Sequence, residues 1–261
     1  MELTKIKVKT NRQVHPDFKI NESVLDDIFV NFETKGTPFG DQERNTLKTF
    51  DLQGYIVNVK SFRIPNFINQ VAYRFFRKSK AQRSFIYANK LKALNIGTPQ
   101  PVAFYEEMST FLFKKSYYVS QQLDCDYTYR DLTKDFNIPD YETILRAFTR
   151  FTFNLHENNI LFLDHSPGNT LIKKVGEDYQ FYLVDLNRMQ FKDLSLDVRI
   201  KNFARLTIHK SMVEIMSDEY AKCSGADYDK IFNLMWKETE AFQEKFYRKK
   251  RLKKKLKFWK R

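Results

Sequence analysis

The stretch Asn154–Arg188, NLHENNILFLDHSPGNTLIKKVGEDYQFYLVDLNR, limits the folds open to this chain more than any other. An apolar run, Ile160–Leu163, ends on Asp164. The turn His165-Ser166-Pro167-Gly168 follows and leads to Asn169. Two apolar segments, Thr170-Leu171-Ile172 and Phe181-Tyr182-Leu183-Val184, flank the polar turn Lys174–Gln180. Apolar runs bounded by Gly and Asp are the pattern of a β-hairpin. The second segment ends on Asp185. A hairpin brings its open ends together, so Asn169 and Asp185 are expected side by side, with Asp164 one loop away.

That arrangement suggests a chemistry. A carboxylate and an amide oxygen are hard donors that suit Mg²⁺ bridging phosphates, which makes Asn169 and Asp185 candidate metal ligands. Asp164 is placed to accept a proton from an attacking hydroxyl or to orient it. Phosphoryl transfer needs mainly positioning and charge neutralisation, and these three groups are a sufficient minimal set. The competing reading is a hairpin with incidental polar ends. Order, spacing and strand context together favour the chemical one.

The spacing D-x4-N, followed by a strand and Asp, resembles the catalytic and metal-binding loops of the protein-kinase-like superfamily. Phe162-Leu163-Asp164 stands where H-R-D is usual, and Asp185-Leu186-Asn187 where D-F-G is usual. Both departures point away from ordinary protein kinases. The wording LHENNI…LDHSPGNTL…LVDLNRM is similar instead to the lipopolysaccharide kinase family, which phosphorylates Kdo or heptose in lipid A–core precursors. The block RKSKAQRS, then YANKLKAL, then N-I-G-T-P is similar too, and the resemblance covers about residues 30–210.

The resemblance implies an α+β, protein-kinase-like two-lobed fold. Residues 1–122 would form a small, antiparallel, β-rich N-lobe that binds ATP and carries one main helix. Residues 123–244 would form a mainly helical C-lobe with the catalytic loop, and 245–261 a basic amphipathic tail. It implies ATP and Mg²⁺ as cofactors, Asp164 as the catalytic residue, and Asn169 and Asp185 as metal ligands. A polar hinge is expected near Gln121–Asp126.

Upstream, residues 1 to about 26 read as a polar leader with one strand, and Ile28-Phe29-Val30 begins a strand-like stretch. Gly36 and Gly40 frame the turn Gly36-Thr37-Pro38-Phe39-Gly40. Glycine lets backbone N–H groups approach anions, so this turn is a candidate cover for ATP phosphates; a plain hairpin turn is the simpler reading. Arg44–Phe50 and Gly54–Ser61 read as strands. Lys60 ends the second, as the strand lysine of kinases does, and is the candidate cation for the α/β-phosphates. An ordinary exposed strand lysine is the alternative. Phe85, Ala88, Leu91 and Leu94 recur at helical spacing, and Pro99 stops that helix. A kinase usually places a glutamate there to pair its lysine, yet Ser79–Ile96 contains no acid. Pro101–Glu107 and Phe111–Gln122 read as the last small-lobe strands. Ile144–Glu157 reads as an amphipathic helix whose His156 is structural. Further helices follow Leu194.

The 261 residues carry a formal charge of +13, and Lys245–Arg261 hold eleven Lys/Arg and no acid, so the remainder is 13 − 11 = +2. A second basic cluster spans Arg74–Arg83. Leu252, Leu256 and Trp259 fall on one side of a tail helix, which suits an anionic membrane surface better than nucleic acid, for which charge alone suffices. Cys125 and Cys223 form neither a disulfide framework nor a zinc spacing. The N-terminus lacks a secretory apolar segment. With the resemblance, these features imply an enzyme in the cytoplasm, peripheral on the inner face of the bacterial inner membrane, taking an anionic lipid-linked sugar as substrate. The rival readings are a kinase for another small molecule or a protein, and a membrane-associated pseudokinase scaffold motivated by the missing helix glutamate.

Overall fold

Strand alternation and two helix faces shape the first half of the chain. The computed structural model describes residues 9–40 and 45–258, with side-chain surroundings through Lys254. The chain divides into two compact units, Met1–Asp124 and Cys125–Arg261.

The first unit runs β1 (Lys9–Val14), α1 (Glu22–Val30), β2 (Thr37–Pro38), β3 (Thr46–Leu52), β4 (Tyr55–Ser61), α2 (Phe67–Phe75), α3 (Lys80–Ala93), β5 (Pro101–Met108) and β6 (Phe113–Gln121). Its six strands form one antiparallel sheet in the order β1-β5-β6-β4-β3-β2. Gln53 and Gly54 both take positive φ, 54° and 87°, and close the β3–β4 hairpin as a two-residue turn whose twist matches the strands. Arg44, expected to open β3, lies outside the described residues.

Each face of this sheet takes its own helix. Val57, Val59, Tyr117 and Val119 share one face and pack with Leu25, Ile28, Phe29 and Phe32 from α1 and its exit. Phe104, with Phe62 and partly buried Tyr118, packs instead against Ala81 and Phe85 of α3. Ser79 caps α3 by accepting from Gln82 N at 3.1 Å.

The strand expected at Ile28-Phe29-Val30 is the last turn of α1. Leu25, Ile28, Phe29 and Phe32 recur at three- and four-residue spacing and are all buried, and Asn21 caps the helix by accepting from Ser23 N at 3.0 Å. A three-residue apolar run carries less information than that longer period. Helix α2 is a second departure: only its last residues, Arg74 and Phe75, fall in the Arg74–Arg83 cluster read as basic, and the rest was assigned no element.

The second unit contains β7 (Tyr127–Thr128), α4 (Tyr129–Leu132), α5 (Tyr141–Glu157), β8 (Ile160–Phe162), β9 (Thr170–Val175), β10 (Asp178–Leu183), β11 (Met189–Phe191), α6 (Leu196–Lys201), α7 (Lys210–Ser224) and α8 (Tyr228–Phe258). A three-stranded sheet orders β10-β9-β7, and β11 pairs β8. The core gathers Tyr129, Leu145, Phe148, Phe203, Met216, Tyr220 and Met235, all fully buried or nearly so. Ion pairs fasten α5 to α7: Arg146 reaches Asp218 at 2.5 Å and Glu219 at 3.2 Å, and Arg150 reaches Glu219 at 2.5 Å. Glu219 is buried, so removing either arginine weakens a pair that water screens poorly.

The segment expected to act as a hinge is tied down at both ends. Gln122 N donates to Ile56 O in the first unit, and Asp126 N donates to Ile172 O in the second. Helix α8 runs unbroken through Lys245, so the basic segment continues a helix already begun at Tyr228. Leu252 is exposed there. The side chain of Leu256 and all of Trp259, the other two members of the expected apolar side, lie outside the described residues.

Candidate active site

Backbone pairing assembles the polar residues of the second unit. Strand β8 ends at Phe162, paired with Met189, and Leu163 N donates to Arg188 O at 3.0 Å. This holds Asp164 beside the segment that leaves β10. In the β9–β10 hairpin Thr170 lies opposite Leu183, and Val184 N donates to Asn169 O at 3.0 Å one step beyond. Asn169 and Asp185 therefore sit at the same end of one hairpin.

Side chains lock this frame. Asn169 Nδ2 donates to the Asp164 carbonyl at 2.8 Å. That use of the nitrogen leaves the amide oxygen as the atom suited to a cation. Asp185 has φ of 59°, the left-handed region that non-glycine residues enter only when their surroundings hold them. Nearly buried Asn187 contributes by donating Nδ2 to Asp185 Oδ1 at 2.7 Å. The Asp164 carboxylate is only 16% exposed and takes two guanidinium groups on Oδ1: Arg188 at 2.9 Å and Arg205 at 3.1 Å. Arg205 also donates to Leu163 O at 3.0 Å, so it fixes both the backbone and the side chain of this turn.

A hard-oxygen pair of one carboxylate and one amide suits Mg²⁺, which accepts few protein ligands when substrate phosphates supply others. Among the described residues no group of three His, Cys, Asp or Glu side chains gathers for a metal.

Sequence reasoning missed two arginines. Arg205 follows Asp164 by 41 residues, with no local pattern to link them. Arg130 lies against the turn so closely that a Cβ on Gly168 would stand 2.6 Å from its Nη2. The sequence reads Arg188 as a cation for a phosphate or a nearby acid, and Asp164 is an acid it reaches, at 2.9 Å.

Two histidines support the turn from beneath. His156 is buried, with Nδ1 3.0 Å from the Tyr220 hydroxyl and Nε2 3.3 Å from Asn202 Oδ1. Asn202 in turn donates to Phe162 O at 2.9 Å. His165 is fully buried among the rings of Phe148, Phe162 and Phe203. Burial pushes His156 down to about 4 and His165 down to about 3. Both rings bind protons more weakly folded than unfolded, where the ordinary value is about 6.5. Their contribution is complete above that value and declines as pH falls from about 6.5 towards about 4, with a slope approaching ~1.4 kcal/mol per pH unit for each ring. The urea midpoint is expected to be lower at pH 5 than at pH 7.5, and His165→Phe should remove part of the drop.

The other expected site residues lie in the first unit. Lys60 occupies β4 opposite Leu47 and Tyr118, with Nζ 5.5 Å from the centre of the Phe62 ring. Gly36 has φ of 83°, and a Cβ there would meet the Phe50 ring at 2.4 Å. Packing alone therefore demands glycine at 36, and Gly36→Ala should destabilise the protein by more than ~1 kcal/mol in a urea titration, with or without nucleotide. Gly40, φ 76°, would meet nothing within 4 Å.

Residues 35–233 match the lipopolysaccharide kinase (Kdo/WaaP) family. The chain belongs to this family. As a Kdo/WaaP kinase family member it falls in a class that transfers phosphoryl groups. No curated protein matches it by sequence. Among solved structures, "WaaP in complex with acyl carrier protein" superposes with a TM-score of 0.62 at 16% identity, covering 91% of this chain and 99% of that one. That likeness shows the fold as α+β and protein-kinase-like, with an antiparallel N-terminal sheet. The Rio2 kinase–ADP/Mg²⁺–phosphoaspartate complex from Chaetomium thermophilum gives a TM-score of 0.45 at 14% identity, covering 88% of this chain and 72% of that one. Among the described residues of this Kdo/WaaP kinase, no helix is long and apolar enough to cross a membrane.

Proposed function

We propose that this chain uses Mg-ATP to phosphorylate a sugar hydroxyl, of Kdo or heptose, on a lipid A–core precursor. The observation that carries the reading is the Asn169 bridge to the Asp164 carbonyl, at the mouth of a hairpin whose other strand delivers Asp185, in a chain of the Kdo/WaaP family. Asp164 orients the acceptor hydroxyl and takes its proton. Both arginines contact Oδ1, so Oδ2 is the oxygen offered to the hydroxyl. Asn169 and Asp185 would hold Mg²⁺, which supplies charge neutralisation to the phosphates. Lys60 adds a cation for the α/β-phosphates, and Gly40 gives backbone room for them. The Lys245–Arg261 segment would draw the enzyme to the anionic cytoplasmic face of the inner membrane, where a lipid-linked sugar is presented.

The test is purified protein with Mg-ATP and Kdo–lipid A or heptosylated acceptors, followed by mass spectrometry. Phosphate gained on the sugar supports the reading. Intact ATP binding without transfer to any Kdo or heptose acceptor rejects the substrate assignment.

A second reading, a pseudokinase scaffold, is favoured by one observation. Helix α3 carries no acidic residue, and its buried residues are Ala81, Ser84, Phe85, Ala88 and Leu91. Mg-dependent ATP turnover that Asp185→Asn abolishes would exclude it.

A further inference from the structure

Helix α2 turns its apolar face outward. Phe67, Ile68, Val71 and Phe75 fall within about 100° of its circumference. Phe67 is 67% exposed, Ile68 77% and Phe75 52%, and no residue of the helix is buried. The opposite side holds the helix to the sheet. There the Tyr73 ring meets Phe113 edge-on at 5.6 Å. Arg74, at the border of the apolar arc, donates Nε to Ser109 O at 3.1 Å. Phe76, 81% exposed, has its ring 6.2 Å from that of Phe75, and Phe111, 70% exposed, lies on the tip of the β5–β6 hairpin, whose Ser109 carbonyl Arg74 reaches. A soluble surface rarely gathers so many large apolar groups without a partner for them.

The charge around this face has one sign. Between Asp51 and Glu106 the chain has no acidic residue and nine Lys or Arg. Arg63, Arg77 and Lys78 flank α2 and are exposed, and the Arg74 guanidinium lies 5.0 Å from the centre of the Phe75 ring. An outward apolar helix face bordered by cations, on a chain with no membrane-crossing helix among its described residues, has the properties of a helix that lies in a bilayer interface. Its aromatic and aliphatic side chains enter the acyl boundary while the cations meet lipid phosphates.

We propose that α2, with Phe76 and Phe111, is a membrane-docking surface that inserts into anionic bilayers. This contact uses residues other than those of the Lys245–Arg261 segment and of the catalytic turn. An acidic protein would satisfy the cations, but it would need a matching groove for four outward apolar side chains. A bilayer accepts them in any arrangement, and the uniform positive border favours it.

The test uses the full chain, so the basic C-terminal segment is present throughout. Wild type and the variant F67S/I68S/F75S/F76S are floated with vesicles of phosphatidylcholine alone or with about 30% phosphatidylglycerol, a composition that supplies the anionic potential. All four positions are exposed, and circular dichroism and nucleotide binding check that the variant is folded. The expected result is at least a tenfold loss of binding to the anionic vesicles, with wild-type amide exchange slowed across residues 64–78 when vesicles are added. Replacing Arg74, Arg77 and Lys78 with serine should remove the preference for anionic lipid. Unchanged flotation of the serine-faced variant, or vesicle protection confined to the C-terminal helix, overturns the proposal. So does protection of residues 64–78 by an acidic soluble protein but not by vesicles. None of these readouts uses phosphoryl transfer, so a failed kinase assay leaves the result intact.

Discussion

Asp164→Ala is expected to lower turnover by about 10²–10⁴-fold, the usual share of a positioned acid–base group, with little change in nucleotide affinity. The geometry makes this a demanding test. Asp164 is also the anchor of two guanidinium groups, so truncation leaves Arg188 and Arg205 without their acid. Asp164→Asn separates the two roles. It keeps the shape and an oxygen for the arginines but cannot take a proton, so it should be as slow as alanine if proton acceptance matters. If asparagine restores most of the rate, the carboxylate serves only to place the loop. Turnover unchanged in both variants removes Asp164 from the mechanism. Arg205→Lys gives a further comparison: one amine replaces a fork that grips Asp164 and the Leu163 carbonyl together, so kcat should fall more than KM rises.

The largest structural effect is expected at Phe148. Its ring is fully buried, 4.3 Å from the Tyr129 ring, 5.8 Å from Phe181 and 5.4 Å from His165. Phe148→Ala should destabilise the second unit by about 3–5 kcal/mol, the usual range for emptying an aromatic site in a core. Set against a typical total of ~5–15 kcal/mol, that is a large fraction. Trp236 packs against the core of the second unit, and residues 1–124 contain no tryptophan, so tryptophan fluorescence reports the second unit's unfolding without signal from the first. The urea midpoint read this way should fall sharply, while Phe148→Leu should cost much less. Because His165 rests on the same ring, the alanine variant should also lose activity at urea concentrations where its fluorescence is still native.

Some of this was legible in the amino-acid order and some was not, for physical reasons. The β9–β10 hairpin was legible because its turn residues and apolar runs are local, and so was α3, whose serine cap and apolar period agree. Helix α1 was misread because Ile28-Phe29-Val30 was weighed apart from Leu25 and Phe32. Helix α2 escaped because the usual inference runs from an apolar stripe to a buried face, and this stripe faces solvent. Helix α7 falls between the two helical runs legible after Leu194, Leu196–Ile208 and Phe232–Phe242, and was not read itself. The pairing of Arg205 with Asp164 was out of reach, since it depends on how α6 and the turn after it return to the β8 end. Gly36 was read as a candidate cover for phosphates or as part of a plain hairpin turn, and the Phe50 ring, which a Cβ there would meet, was not legible from the sequence.

The β9–β10 hairpin has one further consequence. Asn169 and Asp185 each lie just past the last paired residues, so their alignment depends on how many residues each strand contains. One residue inserted into β9 alone would displace Asn169 by ~3.4 Å and turn it to the opposite side of the ribbon, whereas extra length at Gly176-Glu177 would only lengthen the distal loop. The hairpin thus acts as a ruler with one tolerant end. Family members should vary freely in length at that tip and keep the strand count from Asn169 to the tip matched to the count from the tip to Asp185.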